Sequence, residues 1–179
     1  PAGWRRVRAL APLAVEDVYA LTLSALDLTS LRADLADLRL IDERNRQIPF
    51  LLDSDFGTER VPLTVTSEVS AGPHSVFRLE PTVTGDGRSG PWIAWLDLQV
   101  ADPFFERAAR LRSKERPSSK RAPFAMSLSR RPAAADPLRV DVQAALEPLV
   151  LEVDDGDNAP LDIRGGAAVI RIPRIVFKS

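Results

Sequence analysis

The sequence predicts an all-β protein, an antiparallel β-sandwich with an N-terminal β extension. Three observations carry this. About ten short apolar or alternating runs follow one another at close spacing, each bounded by turn residues. No stretch sustains the period of a long amphipathic helix. The 15 prolines fall mainly at the ends of apolar runs, where strands give way to loops.

In order along the chain, Trp4–Leu10 alternates basic and apolar residues and fits a half-exposed strand, and Val18–Leu23 is a second. Leu26, Leu28, Leu31, Leu35 and Leu38 fit a loop with one helical turn. Leu38–Asp42 and Gln47–Asp53 flank the polar Glu43–Arg46 as a hairpin. Val61–Val69 alternates apolar residues with Thr; Ser70–Pro73 is a turn, and His74–Glu80 returns as a strand. Trp92–Val100 is the most hydrophobic strand. Phe105–Arg112 precedes a polar loop, Lys114–Arg121, and Pro123–Ser129, Leu138–Val142 and Leu149–Val153 are short bounded strands. Ala168–Phe177 closes the chain, with Pro173 at a bulge or edge. The expected unit is one sandwich over 1–179. The alternative is an N-terminal hairpin subdomain over 1–55 and a sandwich over 61–179, with a soft boundary at Ser54–Arg60.

Bulk properties narrow the function. A chain of 179 residues can bury a real core. A net charge of −1 argues against nucleic acid as partner. The absence of cysteine removes disulfides, thiol catalysis and Cys-ligated zinc, and leaves the compartment open. No apolar run approaches the roughly 20 residues that span a bilayer. The chain begins at Pro1-Ala-Gly-Trp4 without an initiator Met, so it is expected to be a mature or trimmed form from which a signal or anchor has been removed.

Candidate sites are few. Gly85-Asp-Gly-Arg-Ser-Gly90 has the glycine spacing of a dinucleotide loop, but Pro91 and a strand follow where a helix N-terminus must hold the pyrophosphate. It reads as a loop. His74 is the single histidine, which excludes multi-histidine metal centres; no G-x-S-x-G elbow accompanies it, and a solvated side chain in a Gly-Pro turn is expected. The acidic run Asp154, Asp155, Gly156, Asp157 and Asn158 is a candidate calcium site, with three carboxylates, an amide and backbone carbonyls as hard oxygen ligands. The competing reading is a turn in which Asp and Asn bond to nearby backbone and Gly156 supplies a positive φ.

Charge is arranged in blocks. Residues 107–131 hold nine Lys/Arg against Glu115, and residues 132–163 hold eight Asp/Glu against Arg139. The basic block, with Arg112 and Arg121, is a candidate anionic-ligand patch; pairing of opposite charges across neighbouring strands is the structural reading. Trp92 and Trp95 stand three apart in a strand and are expected on opposite faces, one in the core and one free to serve a glycan platform. No spacing singles out a carboxylate pair for glycoside hydrolysis.

Two segments resemble a bacterial family of exported, membrane-anchored proteins, domain-of-unknown-function family 3999. Leu35-Ala-Asp-Leu-Arg-Leu-Ile-Asp-Glu-Arg-Asn-Arg-Gln-Ile-Pro-Phe50 resembles its hairpin, and Val153-Asp-Asp-Gly-Asp-Asn-Ala-Pro-Leu-Asp-Ile163 resembles its Gly-Asp/Pro-Leu loop. Leu96-Asp-Leu98 and the run Phe105–Ser113 are similar to strands of galactose-binding-like (discoidin-type) jelly rolls, which carry Trp where this chain has Phe124. The resemblance implies a periplasmic or otherwise extracytoplasmic jelly roll of the bacterial envelope, normally followed by a membrane helix, and carries no established activity. The expectation is a non-enzymatic module that binds a glycan or an envelope protein, with the acidic loop as a candidate structural calcium site. The alternatives are an assembly domain that docks on a membrane partner through strand edges and, last, a carboxylate-based hydrolase. An exposed aromatic beside a cleft favours binding over assembly. Facing carboxylates about 5–10 Å apart would favour hydrolysis.

Overall fold

The computed structural model describes residues 7–11, 13, 15–32, 34–68, 72–83, 91–114, 124–131 and 137–178, the side chains of 54–56 excepted. The elements are β1 (Val18–Thr22), α1 (Ala25–Leu28), β2 (Leu40–Ile41), β3 (Gln47–Ile48), β4 (Phe50–Glu68), β5 (His74–Pro81), β6 (Ile93–Val100), β7 (Phe105–Ser113), β8 (Phe124–Arg130), β9 (Leu138–Asp141), β10 (Leu149–Asp154) and β11 (Ile163–Lys178). The protein is all-β and antiparallel. Its strands run in the order β8-β7-β10-β5-β4-β11-β6-β9, with β1 added along β11, and β2 and β3 form a separate hairpin.

Alternation builds the core. In β5, Ser75, Phe77 and Leu79 point inward between His74, Val76, Arg78 and Glu80. In β10, Leu149, Leu151 and Val153 do the same and meet Leu111, Phe105 and Ala109 of β7. The single apolar core draws on α1 and on every strand from β4 to β11. The helix enters through a capping box, Ser24 and Asp27 satisfying each other's backbone N–H groups, and buries Ala25 and Leu28 in that core.

β4 joins the two halves of the sheet. It pairs with β11 from Phe50 to Leu63 and with β5 from Leu63 to Glu68, so Leu63 bonds on both sides of the corner. The strand runs unbroken through 54–60, where the sequence suggested a soft boundary. The β4–β11 register slips between Ile172 and Arg174, so the irregularity expected at Pro173 is there, with its extra residues, 54–56, on β4 opposite it. There the flank of β11 changes partner, from β6 up to Ile170 to β1 from Arg174 onward, and the Pro173 carbonyl accepts the Leu23 N–H at 3.1 Å. The β1 extension is fastened by Tyr19 stacking on Phe177, directly opposite in register.

Two expected elements change. Val7–Leu10 is not a strand, and 4–6 lie outside the described residues. Val7 is 73% exposed, and Arg8 is bonded to Asp27 at the helix cap. The expected second hairpin strand, Gln47–Asp53, divides at Pro49. Only Gln47 and Ile48 pair with β2, and Phe50–Asp53 open β4. The turn between is held by Asp42, whose carboxylate accepts the N–H groups of Arg44 and Arg46. The Arg46 backbone bond, more than any other contact, lowers the Asp42 pKa.

Candidate functional site

β8 and β9 end the sheet, each with one strand neighbour among the described residues. Between them lies a cleft of about 290 Å³, lined by every residue from Phe124 to Ser129 and from Leu138 to Asp141. Successive side chains of a strand point to opposite faces, so an unbroken run of lining residues means that the strand edges themselves form the walls. On the inner side are Phe124, Met126 and Leu128 of β8 with Leu138 and Val140 of β9. Leu128 and Val140 are buried, whereas Phe124, Met126 and Leu138 are only half-covered and pack on the margin of the core. On the outer side are Ala125, Ser127 and Ser129, small and exposed, facing Arg139 and Asp141.

Arg139 is the hinge of this outer side. Its guanidinium carbon sits 3.9 Å from the centroid of the Trp95 ring, and its Nε lies 3.5 Å from Asp141 Oδ1. It stands opposite Asp97 in β6, a buried carboxylate held by Arg60. A cation thus lies against an aromatic face, with one carboxylate beside it and open space in front.

The tryptophans are not arranged as their spacing predicts. The β6–β11 register passes from Trp95↔Val169 to Ile93↔Ile170, leaving Ala94 as an extra residue. The bulge reverses parity, since one inserted residue exchanges the two faces. Ile93 and Leu96 both point into the core, and Trp92 and Trp95 both point outward. Neither tryptophan is a core residue. Trp92 is 48% exposed and Trp95 is half-buried beneath Arg139.

Most polar groups of the acidic loop are bonded within the protein. Asp155 is 5% exposed and accepts the Ser75 hydroxyl on Oδ2; its Oδ1 lies 4.0 Å from Arg107 Nε, and among the described residues neither of those two buried atoms has a hydrogen-bond partner. Its N–H donates to the Pro73 carbonyl, and its own carbonyl accepts both Asn158 N–H groups, backbone and side chain, at 3.0 Å. Asp154 accepts the Gly156 N–H and faces His74 Nδ1 at 3.6 Å across the β10–β5 register. Gly156 takes the positive φ, +55°, expected of a turn. Asp157 is exposed. Asp154 and Asp155 thus look in different directions, and among the described residues no three His, Cys, Asp or Glu gather as a metal site.

The charge blocks meet across strands. Arg110 lies directly opposite Glu152, and Arg107 approaches Asp155. Arg112 is exposed on β7 opposite Val150, away from the cleft lining, and Arg121 lies outside the described residues, as does the loop 85–90. Asp141 is the single carboxylate among the residues lining the cleft.

Sequence reasoning did not select Arg139, Asp141, Met126 or Leu138. The available signals were the isolated Arg139 in an acidic block and the short, small-residue strands typical of sheet edges. Comparisons with protein-family models, with curated proteins and with solved structures returned no match. No helix among the described residues is long and apolar enough to cross a membrane.

Proposed function

We propose that this chain is a non-enzymatic binding module that takes its ligand in the β8–β9 cleft. The observation that carries this is the cleft itself, an opening between two strand edges with a half-covered apolar floor and the Trp95–Arg139–Asp141 group on its rim. Its volume lies just below the usual range of small-molecule sites, and its lining surface is mainly polar, as two strand edges would make it. Trp95, half-buried beneath Arg139, is the aromatic next to the cleft, and the exposed Trp92 is not among its lining residues.

A jelly-roll winding is part of the proposal. Counting β4 as first and β11 as eighth, the sheet reads fifth, fourth, seventh, second, first, eighth, third, sixth. That order is two nested Greek keys, with the fifth and sixth strands as free edges on one side. The resemblance to the exported family supports a place in the bacterial cell envelope, and there the partner class is an envelope glycan or protein.

The test is thermal melting of the chain and of Arg139→Ala against oligosaccharides, neutral and anionic, and against synthetic peptides. A ligand at a hundred times its Kd stabilises the native state by about 2.7 kcal/mol. In a domain of this size that is a rise of roughly 5–10 °C. The expected result is a rise for the wild type that shrinks in Arg139→Ala. A rise of equal size in Arg139→Ala and in Met126→Glu would put the site elsewhere.

A further inference from the structure

We infer that the ligand of this cleft is an extended peptide that adds as a strand along β8. Its apolar residues would point inward onto Phe124, Met126 and Leu138, and charged residues between them would meet Arg139 and Asp141. The inference rests on the cleft being the ligand site.

Four observations lead to it. An edge strand turns one row of N–H and C=O groups away from the ladder, and among the described residues two such rows, 124–129 and 138–141, bound one opening. All neighbouring pairs in the path are antiparallel, so β8 and β9, seven steps apart, run in opposite senses. A strand between them is therefore antiparallel to one and parallel to the other. Antiparallel pairing on β8 is favoured, since β8 offers seven residues against four in β9 and the antiparallel ladder is the stronger. The apolar floor is incomplete, with Phe124, Met126 and Leu138 packed on the core but only partly buried, and an incoming strand would cover what they still expose.

The outer side supplies the complement. Ala125, Ser127 and Ser129 are small and leave room for long side chains on the added strand. Arg139 and Asp141 present one charge of each sign, at alternate positions of β9. The peptide should therefore alternate apolar residues with Glu and Lys. A glycan fits less well, because stacking on a sugar needs an open aromatic face and Arg139 covers a Trp95 face at 3.9 Å. Strand addition draws affinity from main-chain bonds and specificity from alternate side chains.

Fluorescence anisotropy with labelled heptapeptides tests this. The probe is Val-Glu-Val-Lys-Val-Glu-Val, compared with a peptide of the same composition in blocks and with two versions N-methylated at alternate residues in opposite registers. Alternating peptide should bind, the block peptide should not, and N-methylation in one register should weaken binding about tenfold or more. Met126→Glu should weaken it likewise; should that variant fail to fold, the N-methyl series decides alone. Equal binding of the block peptide, or indifference to N-methylation in both registers, overturns strand addition. Oligosaccharide binding that is lost in Arg139→Ala, with no peptide binding, overturns the peptide inference and keeps the cleft as the site. Binding of neither class at the cleft overturns both.

Discussion

The loop after β10 and the cleft between β8 and β9 are opposite solutions to the same problem. Both sit where strands stop and leave polar groups unpaired. In the loop, Asp155 turns inward to Ser75 and Arg107, Asn158 bonds back to Asp155, and Gly156 takes the left-handed conformation that closes the turn. Most of its polar groups are bonded internally, with the buried Asp155 Oδ1 facing Arg107 through charge alone. In the cleft, two edges face each other with an apolar floor half-covered and a cation resting on a tryptophan. The conspicuous acidic run here serves a turn and a buried ion pair, whereas the opening lies beside ordinary strand residues.

The comparison can be broken first in the core. Leu151, in the middle of β10 and 1% exposed, has no room to be lost. Leu151→Ala should cost about 3–5 kcal/mol by urea denaturation, through lost burial and the cavity left behind. Met126→Ala at the cleft should cost less, about 1–2 kcal/mol, because that side chain is only partly buried. Similar losses at the two positions would show that the cleft margin is as tightly packed as the core.

Next is Asp155. Asp155→Ala leaves Arg107 buried without its counter-charge and Ser75 without its acceptor, and should cost about 3 kcal/mol. Asp155→Asn, which keeps an acceptor for Ser75, should fall between that and wild type. A loss under about 0.5 kcal/mol for Asp155→Ala, at the level of a surface change, would show that the buried Asp155–Arg107 and Asp155–Ser75 contacts do not hold the loop.

A smaller effect is expected at the sheet surface between β5 and β7. Lys114 bonds to Glu80 at 2.7 Å and so holds the Glu80 carboxyl below its ordinary value of 4.5. Because the folded pKa is depressed, the pair's contribution is present above that ordinary value and lost as pH falls through the lower folded one. Solvent and salt screen it. An NMR titration should place the Glu80 midpoint below 4.5, and Lys114→Ala should move it upward; an unmoved midpoint removes the pair.

The smallest effect concerns calcium. Asp157 is exposed and does not converge with Asp154 and Asp155, so Asp157→Ala should shift the melting temperature by the same small amount, under about 0.5 kcal/mol in equivalent stability, with and without calcium. A loss that appears only with calcium would restore the loop as an ion site.

The sequence by itself determined the strand content. Period-two alternation fixes which face of β5, β7 and β10 is buried, and Pro173 foretells a bulge because it has no N–H to give the ladder. It also indicated a turn at Gly156 and charge pairing between blocks, since both are local or nearly so. Tertiary structure decided what depends on partners. Spacing placed Trp92 and Trp95 on opposite faces; the single extra residue at Ala94, visible only against β11, put both outward. No property of Phe124–Ser129 or Leu138–Asp141 alone says that they will face each other. That follows from how strands far apart in sequence are ordered around the core, leaving those two edges as the ends of the sheet. A site made of edges exists only once the rest of the sheet has paired.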